Sequence, residues 1–152
     1  MKKILLNLLF VSLFICSGIY AQTKSFDLIQ NHQALLVKDL KSTGDFYLNI
    51  LGFTEIEAGA GQIPPKRWFK NSEGKEIHLI HRDSIKLLPK GIHMAYSVDD
   101  ISLFTAHLKK NNVFYGNWAS EKGVIELRKD GVKQIWLQDP SGYWIEINQA
   151  RN

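Results

Sequence analysis

The stretch His32-Gln33-Ala34-Leu35-Leu36-Val37-Lys38-Asp39-Leu40 aligns without gaps on His93-Met94-Ala95-Tyr96-Ser97-Val98-Asp99-Asp100-Ile101, at an offset of 61 residues. His, Ala, Val and Asp coincide, and Leu40 faces Ile101. Self-similarity at a fixed spacing marks a duplicated supersecondary unit. In each copy a strand-like run leads to an aspartate and then into a helical pattern.

The spacing predicts a first helix over about Ser42–Leu51, with Phe46, Tyr47, Ile50 and Leu51 on one buried face. Gly52 is its natural stop. A second helix is predicted over about Ile101–Asn111, with Leu103, Phe104 and Leu108 facing the core. Asp99 or Asp100 can cap its free amides, and Lys109, Lys110 and Asn111 suit the carboxyl end of its dipole.

Three strand candidates follow each helix. In the first copy they are Phe53–Ala58, Arg67–Lys70 and Glu76–Arg82, with Asn71-Ser72-Glu73-Gly74 as a hairpin turn. In the second they are Val113–Trp118, Lys133–Gln138 and Tyr143–Asn148, with Asp139-Pro140-Ser141-Gly142 as the turn. Glu76-Ile77-His78-Leu79 lies over Trp144-Ile145-Glu146-Ile147 at an offset of 68, and the added length falls in the loop around Ser120–Gly131. The expected class is α+β: strand-helix-strand-strand-strand, twice. The domain spans 29–150, with modules at about 29–82 and 91–149.

The 152 residues are 45% hydrophobic and 22% charged, a globular balance suited to one domain or two small halves. Lys2 and Lys3, the apolar run from Ile4 to Ile15, and Ser17, Gly18 and Ala21 have the order of a secretory signal peptide. Residues 1–21 are therefore expected to be removed, leaving a periplasmic or secreted chain with no stable membrane span. Formal net charge is +4, but Lys2 and Lys3 are lost with that segment. The remaining charge is too weak to argue for nucleic acid or an anionic membrane surface. The single cysteine, Cys16, lies there too, so the rest has no disulfide, cysteine zinc site or thiol nucleophile.

Of the histidines, His32 and His93 hold the same place in the repeat, at the start of each first strand. His78 and Glu146 hold corresponding places on each last strand. Packed about an approximate two-fold axis, they become two symmetry-related pairs facing one cleft. Imidazole nitrogens with one carboxylate suit a divalent ion: zinc first, with nickel, iron, manganese and cobalt as alternatives. A carboxylate inside the apolar strand Tyr143–Ile147 points the same way, because burying Glu146 without a cation or donors costs several kcal/mol or forces protonation. His107 beside Lys109 and Lys110, and His81 on the opposite strand face from His78, stay outside this site.

These motifs resemble the vicinal oxygen chelate superfamily, which contains glyoxalase I, extradiol dioxygenases, methylmalonyl-CoA epimerase and the fosfomycin- and bleomycin-resistance proteins. The resemblance covers residues 30–149. Besides the duplicated stretch, it rests on Phe46-Tyr47-x-x-Ile50-Leu51-Gly52-Phe53, Gly91-Ile92-His93-Met94-Ala95 and Asp139-Pro140-Ser141-Gly142-Tyr143-Trp144-Ile145-Glu146. It implies two βαβββ modules curving as an eight-stranded cleft around a metal held by His32, His78, His93 and Glu146. It also implies a small-molecule substrate with vicinal oxygens, and a homodimer. The position of His78 is commonly glutamate in glyoxalase I and glutamine in the epimerase. In extradiol dioxygenases it is not a ligand.

By that resemblance the expected function is an exported metal-dependent lyase or isomerase of glyoxalase type that stabilises an enediolate, with Glu146 as the catalytic base. An extradiol-type dioxygenase or thiol transferase using His32, His93 and Glu146 is the alternative enzyme. A non-catalytic binding or resistance protein is the alternative from another class. Lys66, Arg67, Trp68, Trp118, Arg128 and Trp136 are candidate pocket or rim residues.

Overall fold

A computed structural model describes residues 28–61 and 64–150. The expected signal segment lies outside the described residues. The elements are β1 (His32–Val37), α1 (Leu40–Asn49), β2 (Thr54–Ile56), β3 (Lys66–Lys70), β4 (Glu76–His81), β5 (Met94–Ser97), α2 (Ile101–Lys110), β6 (Glu126–Leu127), β7 (Lys133–Gln138) and β8 (Trp144–Asn148). They form two four-stranded sheets, ordered β1-β4-β3-β2 and β5-β8-β7-β6. In each, the first strand runs parallel to the last and the other pairings are antiparallel. The duplicated βαβββ architecture is therefore present as two sheets. Among the described residues no helix is long and apolar enough to cross a membrane.

The two aspartates of the repeat start the two helices. Asp39 accepts from the Ser42 amide, and Asp100 accepts from those of Ser102 and Leu103. Each side chain thereby satisfies amides that the first helical turn leaves open. Gly52 follows α1 at φ +71°, a backbone state glycine adopts without strain.

Strand alternation divides each sheet into an apolar face and an open face. Leu35, Val37, Phe69, Ile77 and Leu79 are buried on the apolar face of the first sheet, and Met94, Ile135, Leu137, Ile145 and Ile147 on that of the second. They belong to one core shared by both modules. Tyr47 on α1 is its hinge point: fully buried, it donates toward Asp139 Oδ2 at 3.4 Å and packs edge-on against Phe53. Phe53 in turn meets Tyr96 of the second module. Thr43 Oγ1 and Ser141 Oγ share a hydrogen bond of 2.8 Å, and Tyr143 Oη donates to the Leu36 carbonyl at 2.9 Å.

One expected strand moves. Residues 113–118 form no strand; Gly116 makes only isolated bridges, to Lys122 and Trp136. The chain then doubles back through Ser120, whose φ is +65°, while Asn117 and Glu121 hydrogen-bond side chain to backbone. A Cβ at Gly116 would meet the Glu121 carbonyl oxygen at 2.5 Å, so this close approach needs glycine. The sheet edge is supplied instead by Glu126–Leu127, inside the segment expected to be loop.

Candidate functional site

The open faces carry the residues singled out by the repeat. In the first sheet Ala34, His78 and Trp68 form one row across β1, β4 and β3. In the second, Ala95, Glu146 and Trp136 form the same row across β5, β8 and β7. The tryptophans are thus repeat partners at the same offset of 68 that relates His78 to Glu146. Extending that offset to the preceding strands would have exposed the match.

In the first module three rings form a stack. Trp68 lies 3.8 Å from His78 at 5° between planes, and His32 covers the other side at 4.3 Å and 13°. His78 Nε2 is 2.8 Å from Glu76 Oε2, and His32 Nδ1 is 2.7 Å from Asn31 Oδ1. Each of those partners is an acceptor, so each of those ring nitrogens carries the hydrogen. The nitrogens without such a partner are Nε2 of His32 and Nδ1 of His78.

In the second module His93 Nδ1 lies 3.1 Å from the Lys90 carbonyl oxygen. The other ring nitrogen, Nε2, faces Glu146 Oε2 at 3.5 Å. The separation itself is compatible with two ligands of one cation, because ligands about 2.0–2.2 Å from a zinc ion lie roughly 3–3.5 Å from each other. Glu146 is 8% exposed, yet it is not stranded. Asn148 Nδ2 donates to its Oε1 at 2.7 Å, and an Arg128 guanidinium nitrogen stands 3.6 Å from the same oxygen. Its burial is met by the chain's own donors, so Glu146 is not a buried orphan acid.

Lys90 locks the floor of this half. Its ammonium sits 4.4 Å from the ring centre of Trp144, 5.1 Å from Trp136 and 5.4 Å from Trp118. It donates to the carbonyls of Asn117 at 2.9 Å and Trp118 at 2.7 Å. Desolvation among the indoles pulls its pKa below the usual lysine value. Sequence reasoning missed Lys90 and Glu76. Neither has a like residue at its counterpart in the other module: Glu76 lies over Trp144, and Lys90 over Ile29.

Of the candidate rim residues, Trp68 and Trp136 line the open faces, Trp118 stands edge-on to Trp136 at 5.1 Å, and Arg128 reaches Glu146. Lys66 lies 5.6 Å over the Trp68 ring. Arg67 is elsewhere. It alternates with Trp68 onto the helix face, where it binds Glu55 at 2.7 and 2.8 Å, Asp45 at 3.2 Å and the Leu40 carbonyl at 3.2 Å. It crosses α1 at Gly44, where a side chain would collide with the guanidinium. Arg67 is a structural clamp between sheet and helix.

The four expected ligands therefore form two pairs, His32 with His78 and His93 with Glu146, on separate sheets. Among the described residues no three histidine, cysteine or acidic side chains are grouped to hold an ion.

A tandem pair of βαβββ modules, each a four-stranded sheet with one helix, defines the fold class. Residues 29–147 match the family described as the Glyoxalase/Bleomycin resistance protein/Dioxygenase superfamily, and the chain belongs to it. A curated relative from Arabidopsis thaliana, named Glyoxylase I 4, is 25% identical over 124 residues, covering 77% of this chain and 68% of the relative. Solved structures agree in fold. A glyoxalase family protein from Bacillus anthracis has a TM-score of 0.69 at 20% identity, covering 84% of this chain and 99% of its own. The fosfomycin resistance protein FosX from Listeria monocytogenes has a TM-score of 0.65 at 22% identity, covering 80% and 92%.

Proposed function

We propose that the protein is an exported, metal-dependent lyase or isomerase of glyoxalase type, acting on a small molecule with oxygens on adjacent atoms. The observation that carries this reading is His93 Nε2 facing Glu146 Oε2 at 3.5 Å. His32, His78, His93 and Glu146 would hold a divalent ion, with zinc the first expectation. Such an ion supplies Lewis-acid charge to two neighbouring substrate oxygens. Glu146 is suited to take a proton from the adjacent substrate carbon: Asn148 and Arg128 hold Oε1, which leaves Oε2 to move. The indole of Trp136 stands beside Glu146 on the neighbouring strand, with Trp118 edge-on to it.

The reading unites the two pairs across a homodimer, the first-module face of one chain meeting the second-module face of the other. Two features support this. β1 and β5 are end strands of their sheets, each carrying one histidine at or next to its start. The exposed side chains of Leu36, Leu88 and Ile92 give the neighbouring surface an apolar character. The signal-peptide reading of residues 1–21 sets this chemistry in the periplasm or outside the cell.

A second reading, an extradiol-type dioxygenase or thiol transferase using only His32, His93 and Glu146, is favoured by the hydrogen bond that occupies His78 Nε2. Elemental analysis of the purified protein, with a screen of 2-oxoaldehyde thiol adducts, catechols and epoxides, separates the readings. The proposal expects bound divalent metal and turnover of an oxoaldehyde adduct. Turnover of catechols alone favours the second reading. Metal-free protein without turnover returns the chain to the binding proteins of the family.

A further inference from the structure

Behind the second sheet, a cavity of about 380 Å³ lies between the end of α2 and the segment 113–123. Tyr115 in its lining belongs to the core, whereas the next residue, Gly116, bridges to Trp136 on the open face. Successive residues of an extended segment alternate between faces, so the cavity is on the helix side. Backbone hydrogen bonds hold its walls. Asn112 turns the chain out of α2 at φ +56°, and the amides of Asn112 and Val113 donate to the Lys109 and Leu108 carbonyls at 3.1 and 2.9 Å. Gly116 and Trp136 exchange two bonds, at 2.9 and 2.7 Å, and the Gly123 amide closes on the Tyr115 carbonyl at 2.8 Å. Walls fixed in this way spare a ligand the cost of ordering them.

The lining is basic and aromatic. Lys109 and Lys122 both belong to it, and neither ammonium has an ion pair or hydrogen bond among the described residues. No acid lines the cavity, and the carboxylate of the adjacent Glu121 is taken by Asn117. The last carbonyls of α2 are covered by the amides of residues 111–113, which blunts the negative pole of the helix beside the cavity. Phe114 presents a ring that is 50% exposed. Tyr115 is only 3% exposed, yet its hydroxyl has no partner among the described residues and is not sealed from solvent. A buried tyrosine hydroxyl usually finds a hydrogen bond.

We infer that this cavity is a binding site for a small aromatic carboxylate, separate from the open faces that carry the candidate ligands. The carboxylate answers the Lys109 and Lys122 ammoniums, and the ring packs on Phe114 and Val113. The Tyr115 hydroxyl and the Asn112 side-chain amide are further donors in the same lining. The volume is at the small end of the roughly 300–1,000 Å³ of ligand pockets, which suits one ring and its acid group. An inorganic anion would leave the Phe114 ring in water, and a neutral ring would leave both ammoniums unanswered.

The test follows the backbone amides of the isotope-labelled full chain by NMR while phenylacetate, its neutral analogue phenylacetamide, or inorganic phosphate is added. Phenylacetate should shift the amides of Asn112, Phe114 and Gly123 saturably, with a Kd on the order of 1 mM. Phenylacetamide should bind at least about fivefold more weakly, and phosphate should not saturate. Lys109→Gln combined with Lys122→Gln should weaken phenylacetate about three- to tenfold, as two exposed ion pairs are lost. Phe114→Ala should weaken it about fivefold. Undisturbed amides of β7 and β8 show that these surface variants keep the fold. Equal binding of phenylacetamide, indifference to the two lysines, shifts confined to the open faces, or no saturation by about 20 mM phenylacetate overturns the inference.

Discussion

Tyr47 Oη and Asp139 Oδ2 meet 3.4 Å apart inside the shared core, and through them the first helix of one module holds the last turn of the other. Asp139 Oδ1 accepts from the amides of Ser141 and Tyr143, both at 2.9 Å. Burial outweighs these donors and pushes the Asp139 pKa up from 3.8 to about 6.

The sign of the resulting pH dependence is fixed. Between the unfolded and folded pKa values the folded chain binds the extra proton. The contribution of Asp139 to stability is therefore complete below about pH 4 and fades as pH rises through about 6, by on the order of 3 kcal/mol. Asp139→Asn keeps an acceptor for the two amides and removes the titration. Urea unfolding from pH 4 to 8 should show the wild type losing stability relative to this variant by that amount. Parallel profiles would contradict the assignment.

Arg67 should matter for stability alone. Its guanidinium ties Glu55, Asp45 and the Leu40 carbonyl across the helix face and lies 5.1 Å over Phe69. With the side chain 22% exposed, Arg67→Ala should cost about 1–3 kcal/mol. Zn(II) affinity measured on the folded variant should be unchanged. A selective loss of metal binding would return Arg67 to the site.

Lys90 should matter for the order of the second half-site. Lys90→Met keeps the aliphatic stem and removes the charge from the three indoles and from the carbonyls of Asn117 and Trp118. Cation–π contacts of this kind contribute about 1–2 kcal/mol. Unfolding should shift by that amount, and tryptophan emission should move to longer wavelength as Trp118, already 52% exposed, detaches. Unchanged emission would show that Lys90 does not hold the loop.

Much of this architecture is legible in the residue string because duplication writes it twice. The paired His-x-Ala runs locate β1 and β5, the aspartates that follow cap both helices, and Trp144–Ile147 alternates as a strand should. The strand expected at 113–118 failed for a local reason. Asn117 and Glu121 tie a turn that pulls the chain off the ladder after one pairing at Gly116, and a two-residue edge strand such as Glu126–Leu127 is too short to leave a pattern. Residue types named the four metal candidates, but not which nitrogen of each imidazole is held by a neighbour. That depends on Asn31, Glu76 and the Lys90 carbonyl, three neighbours with no common signature.

Mixed subunits test the joining of the two half-sites most directly. A homodimer of the His32→Ala chain and a homodimer of the His93→Ala chain each lack one donor in every site. Refolded together, their hybrid contains one site with both substitutions and one with neither. Zn(II) titration of the purified hybrid should recover one wild-type-affinity ion per dimer. If the mixture binds no better than its parents, the donors of the two faces do not come from different chains.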